Sequence, residues 1–173
     1  MKKGQKKLET NSSSENQYDF FYRREELSPD ELDSIENTDR EEFENIIKEE
    51  PRWVQLGKKL MALGGARIVL CWESKIDMSR LLTRGQAFQG DVVFRRGRTS
   101  QCHSNVARQW KKLHKSGFQI VVGWALSDDG LWRQHTWGLM NDSVIETTEY
   151  REIYYGYTLN DDESEGFYND NYY

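Results

Sequence analysis

From Phe118 to Leu159 the chain consists mostly of strand-forming residues broken by tight-turn signals. This pattern constrains the fold more than any other feature of the sequence. Phe118 to Ser127 is rich in Ile, Val and Trp, and Ser127-Asp128-Asp129-Gly130 is a hairpin turn signal. Leu131 to Met140 reads as the return strand. Asn141-Asp142 marks a second turn, and Ser143 to Thr148 and Ile153 to Leu159 supply two more strands. Short turns reverse the chain and leave antiparallel pairing as the geometry within reach, so the pattern predicts an antiparallel meander.

Helical signals precede it. Ser28-Pro29-Asp30-Glu31 carries a cap residue with Pro at the first helical position, and Thr38-Asp39-Arg40-Glu41 is a Thr-x-x-Glu capping signature. A helix is predicted from about Asp39 to Glu49, with Phe43, Ile46 and Ile47 on one face and Pro51 interrupting it. Trp53 to Leu63 is a second amphipathic stretch, stopped by Gly64-Gly65. The run 67–72, RIVLCW, reads as a buried strand containing Cys71, which serves as core packing. Asp77 to Arg84 reads as a short helix, and 86–98 combines a strand with a basic turn. A helix from about Gln101 to Lys115 places Val106, Trp110 and Leu113 on its inner side. Helices, one Cys-bearing helix and then strands give an α+β fold. The expected organisation is a disordered tail over 1–17, an acidic helical region over 18–65, a core over 66–160 and a frayed acidic tail over 161–173.

Six Trp, nine Tyr and seven Phe in 173 residues exclude a wholly disordered chain, although 31% of residues are charged. There is no run of 18 apolar residues, which argues against a membrane span, and no secretory signal follows the basic N-terminus. Two Cys make no disulfide framework, so both are expected as reduced thiols in a cytoplasm. The net charge of −5 conceals three blocks: residues 1–51 are acidic, 52–115 strongly basic and 116–173 acidic. Either the blocks neutralise one another in the fold, or the basic middle meets an anionic partner.

Cys102 falls in the predicted first turn of a helix. Unpaired N–H groups and the helix dipole there favour the thiolate, which is the nucleophilic form, and can hold a developing oxyanion. Of the three histidines, His103 is expected to point about 100° away from Cys102 on the helix and to be a poor partner. His114 lies three turns along. His135 sits mid-strand in LWRQHTWGL, on the face shared by Leu131, Arg133, Trp137 and Leu139. If Asn141-Asp142 makes a two-residue turn, Glu146 becomes the diagonal neighbour of His135 on that face, within side-chain reach. A carboxylate there would fix the imidazole tautomer and stabilise the imidazolium. Asp142 is the fallback third residue.

The segments SQCHSNVARQW, QHTWGL and VIETT resemble the papain-like and transglutaminase-like cysteine hydrolase superfamily, over roughly residues 96–159. The resemblance implies a papain-like core with Cys102 as nucleophile, His135 as base and Glu146, where an Asp is usual, as orienter. It implies a peptidase, amidase or transglutaminase-like activity on a peptide or amide substrate, through a thioester and without a cofactor, in a bacterial or phage protein. Papain relatives place a Gln about six positions before the Cys; here that position is Arg96. Gln101 and Asn105 are accessory candidates, Gln86 and Gln89 lie further back, and the second oxyanion donor is unassigned.

Two other readings remain open. The basic block, with Arg95, Arg96, Arg98, Lys111, Lys112 and Lys115, could bind nucleic acid or another anion without catalysis. Alternatively, an inactive hydrolase-like fold of mobile-element origin could act as an interaction or inhibitor module. Cys102-His103 with His135 lacks the paired spacing of a zinc site, and no metal is expected.

Overall fold

The structure is a computed structural model that describes residues 45, 47–69 and 76–172. The capping signals at Ser28 and Thr38, most of the helix expected over 39–49, the tail 1–17 and Cys71 lie outside the described residues.

Four α-helices are described: α1 (Arg52–Leu63), α2 (Met78–Arg84), α3 (Cys102–Leu113) and α4 (Asp161–Asn171). Seven strands accompany them: β1 (Arg67–Ile68), β2 (Gln86–Phe88), β3 (Val92–Phe94), β4 (Gln119–Leu126), β5 (Leu131–Met140), β6 (Ser143–Glu146) and β7 (Ile153–Thr158). The fold is α+β, with one seven-stranded, mostly antiparallel sheet in the order β2-β7-β4-β5-β6-β3, β1 pairing with β5. Only β1 with β5 and β3 with β6 run parallel.

The expected hairpins form. The β4–β5 turn is Ser127–Gly130, closed by Gly130 N–H to Ser127 O at 3.0 Å. The β5–β6 turn is Asn141-Asp142, whose φ values of 51° and 61° are those of a type I′ turn. A simple meander would put β7 beside β6. Instead, β7 pairs with the far side of β4. The connection 147–152 is too long for a tight reversal, and it is anchored at the end of β4. Glu152 N–H donates to Leu126 O at 2.8 Å, and the buried Arg151 guanidinium donates to Ser127 Oγ.

Placed centrally, β4 is buried on both faces, which explains its nearly continuous apolar sequence. Ile120, Val122, Trp124 and Leu126 enter the larger core with Leu56 and Leu60 of α1, Leu81 of α2 and Val106 and Trp110 of α3. Val121 and Ala125 point the other way, into a smaller core with Trp137, Val144 and Tyr154. Gly64-Gly65 stops α1 and also seats an indole. Trp132 Nε1–H donates to Gly64 O at 2.8 Å, and a Cβ on Gly65 would lie 2.8 Å from that nitrogen.

The acidic end, expected to be a frayed tail, is helix α4 instead. Asn160 and Glu163 form a capping box, with Glu163 N–H to Asn160 Oδ1 at 2.9 Å and Asn160 N–H to Glu163 Oε2 at 2.8 Å. Asp161, Asp162 and Glu163 in its first turn complement the helix dipole. Phe167 and Tyr168 pack it against the larger core, and Arg80 of α2 forms an ion pair with Glu163. Among the described residues, no helix is long and apolar enough to cross a membrane.

Candidate active site

Cys102 is the first residue of α3, and the segment before it is fastened on both sides. Arg95 N–H donates to Glu146 O and Gly97 N–H to Thr147 O, each at 2.7 Å, which extends the β3–β6 pairing. One turn into α3, the buried Asn105 grips the Arg98 peptide: Oδ1 accepts from its N–H at 3.0 Å, and Nδ2 donates to its carbonyl at 2.7 Å. A Cβ on Gly97 would come within 2.3 Å of the Asn105 side chain, so a glycine is needed there. Gln101 occupies the N-cap position without a side-chain cap bond. The first N–H groups of a helix have no acceptor within it, and Cys102 opens α3 among them.

His135 lies mid-β5, opposite Gly123 of β4, and Glu146 ends β6. The two-residue turn pairs Met140 with Ser143, Leu139 with Val144 and Gly138 with Ile145. That register puts Glu146 on the face of His135, and His135 Nε2 lies 2.9 Å from Glu146 Oε2. Both are buried, at 3% and 0% exposure. The carboxylate is saturated with donors. Oε1 accepts from Thr147 N–H at 2.7 Å, Thr148 N–H at 2.8 Å and Thr148 Oγ1 at 3.1 Å. Oε2 accepts from the Tyr154 hydroxyl at 2.9 Å as well as from His135. The His135 ring lies beside Trp137 and Tyr154.

The His135 imidazole is near enough to the Cys102 thiol for each to favour the other's charged form. Burial disfavours every charge in this group, yet the charged forms are preferred. Burial pushes the Cys102 thiol up, but hydrogen bonds with His103 and His135 outweigh it and bring the thiol down to about 5. Burial lowers His135, but Cys102 and Glu146 raise it to about 9. Burial raises Glu146, but His135, Thr148 and Tyr154 hold it at about 2. Both shifts run in the direction that favours thiolate and imidazolium. Burial, followed by the neighbouring Glu146 charge, pushes Tyr154 far above its usual range, so it stays a hydroxyl donor.

Other residues depart from the sequence reading. His103 is not turned away: its Nδ1 lies 3.4 Å from Cys102 Sγ, and its ring stacks on Phe167 of α4. The 100° step between adjacent helical residues describes Cβ directions; at a first turn with no preceding turn to block it, a long side chain can swing back. Asp142 sits at the exposed turn, and Glu146 takes the place beside His135. Asn105 is spent on the Arg98 peptide. Tyr154 was not singled out by sequence, because a strand Tyr reads equally as core. Arg95, Arg96 and Arg98 are exposed before α3, whereas Lys111, Lys112 and Lys115 are exposed at its far end, about 15 Å away at 1.5 Å per residue. They form two patches rather than one continuous surface.

Cys102 and His103 line a cleft of about 650 Å³ with Gln134, Val122, Tyr157 and the α4 face around Phe167. Gln134 Oε1 is buried there without a partner. Asp77, Arg80, Glu163 and Asp170 lie around the cleft. Among the described residues, no group of three or more His, Cys, Asp or Glu is placed to hold a metal ion. No protein-family model, curated protein or solved structure matches the chain.

Proposed function

We propose that the protein is a cysteine-dependent acyl hydrolase or transferase of papain-like type, acting on an amide or peptide through Cys102, His135 and Glu146. The observation that carries this reading is the buried His135–Glu146 pair set against a thiol at a helix N-terminus. A buried ion pair is costly to build, and removing one partner costs more. Such a pair beside a depressed thiol, on a cleft, fits nucleophile activation.

In this mechanism the Cys102 thiolate attacks the substrate carbonyl carbon and forms a C–S bond. Negative charge moves to the carbonyl oxygen, where N–H groups of the first turn of α3 can receive it. As the C–N bond breaks, His135 gives its proton to the departing amine and the thioester remains. Water or an amine then attacks the thioester carbon, its proton passes to an imidazole beside the sulfur, and the C–S bond breaks to return the thiolate. Glu146 keeps Nε2 of His135 occupied, which leaves the ring's other nitrogen to serve the sulfur. It accepts no proton itself, because five donors already surround it.

Alkylation tests this. Limiting iodoacetamide should modify Cys102 from about pH 5 upward, far below the ordinary thiol range of about 8.5. His135→Ala should move that early phase to higher pH, with the contact to His103 left in place. Equal, sluggish modification of Cys102 and Cys71 at pH 6, mapped by peptide mass, would refute the proposal.

A further inference from the structure

We propose that His103 is a second proton-transfer residue at the same sulfur, serving the attack of the acceptor on the thioester. This rests on the Cys102 acyl-transfer reading and adds a division of labour between two imidazoles. His135 is 3% exposed, has its Nε2 committed to Glu146 and is not among the residues that line the cleft. His103 approaches from the cleft side, with Nδ1 at 3.4 Å from Sγ, and lines the cleft together with Cys102. Its ring is held by stacking on Phe167, with centroids 5.7 Å apart and planes 26° apart. The contact with the thiol is therefore supported from α4.

His103 lines the cleft through which an acceptor would reach the thioester, and His135 does not. In the resting protein Nδ1 of His103 carries the proton of its contact with the sulfur, because a thiolate only accepts. Once the sulfur carries an acyl group it no longer holds a negative charge for that nitrogen to bond. The neutral ring then carries its one proton on Nε2, and Nδ1 takes the proton of a water or amine as the acceptor's oxygen or nitrogen bonds to the acyl carbon. The C–S bond breaks in the same half-reaction and its electron pair returns to Cys102 as thiolate; His103 then releases its Nε2 proton to solvent, and His135 regains from solvent the proton it gave to the leaving amine. Acylation leans on His135, and deacylation leans on His103.

The test separates the two half-reactions with p-nitrophenyl acetate and the full chain. Release of p-nitrophenolate reports acylation, and intact mass reports the lifetime of acetyl-Cys102. His103→Phe keeps a ring against Phe167 but has no nitrogen; His103→Gln keeps a hydrogen-bonding side chain; His103→Ala leaves room for added imidazole. At pH 8, His103→Phe and His103→Gln should acylate within about threefold of the parent. Their deacylation should slow about a hundredfold, the usual scale for a general base. Added imidazole should restore deacylation in His103→Ala. Deacylation unchanged in all three variants overturns the proposal and leaves the Cys102–His135 reading standing. Equal loss of both half-reactions without imidazole rescue assigns His103 a structural role and also overturns it. Failure of the parent protein to acetylate at Cys102 removes both readings.

Discussion

Replacing Glu146 with Gln keeps the side chain's shape and removes its charge, which isolates what the carboxylate does. One end of the amide can still accept from the Thr147 and Thr148 N–H groups. The other end then presents an NH₂ to His135 Nε2 and the Tyr154 hydroxyl, which both donate to it in the native chain. The imidazole can no longer carry a proton on both nitrogens without a donor facing a donor. Removing one partner of a buried ion pair costs about 3 kcal/mol or more. That corresponds to about two pH units in the balance between neutral and charged forms. His135 should fall from about 9 towards its ordinary 6.5, and the Cys102 thiol should rise from about 5 towards 7. At pH 6 the thiolate fraction then drops about tenfold, and iodoacetamide modification of Cys102 should slow by that factor. The melting temperature should fall by about 6–12 °C, at 2–4 °C per kcal/mol for a chain of this size.

The pH dependence of that loss has a definite sign. Glu146 is depressed from 4.5 to about 2, so its contribution is complete above 4.5 and disappears as pH falls through 2. His135 is raised from 6.5 to about 9, so its contribution is complete below 6.5 and disappears as pH rises through 9. The melting difference between parent and Glu146→Gln should therefore be widest between pH 4.5 and 6.5 and should narrow on both sides. An unchanged alkylation profile in Glu146→Gln, or a melting difference that grows above pH 9, would refute the ion-pair reasoning.

Two further substitutions probe the supports of the site. Tyr154→Phe removes one donor to the carboxylate, worth about 1.5 kcal/mol as a bond to a charged group; calorimetry should show a matching loss, and the alkylation midpoint should rise by less than about one pH unit. Asn105→Ala releases the Arg98 peptide and costs about 1–2 kcal/mol for two hydrogen bonds. It should slow Cys102 alkylation while leaving the His135 imidazole resonances, followed by NMR titration, close to those of the parent.

The sequence carried the site further than the helical details would suggest. The Asn141-Asp142 turn fixed the β5–β6 register, and in a strand a register fixes which residues share a face; hence Glu146 beside His135 was readable. Cys102 at the start of α3 followed from the amphipathic spacing of Val106 and Trp110. Two things were not readable. The position of β7 depended on where the 147–152 connection is anchored, which is a tertiary matter of Arg151 meeting Ser127. The contact of His103 with Cys102 depended on a side-chain rotamer and on Phe167 arriving from a helix distant in sequence. Helix α4 could have been read: Asn160-x-x-Glu163 is a capping box. Its acidic composition suggested a frayed end, but those charges lie where the helix dipole favours them.

The backbone bonds of Arg95 and Gly97 to the strand end that carries Glu146 have a consequence for how the chain can vary. Sulfur and carboxylate are distant along the polypeptide, yet both are gauged from the same short stretch of β6. Peptide inserted at the Asp128-Asp129 tip would lengthen the chain between them without changing that gauge. A single residue added between Gly97 and Cys102 would lie inside it, and the nucleophile would start its helix in the wrong place.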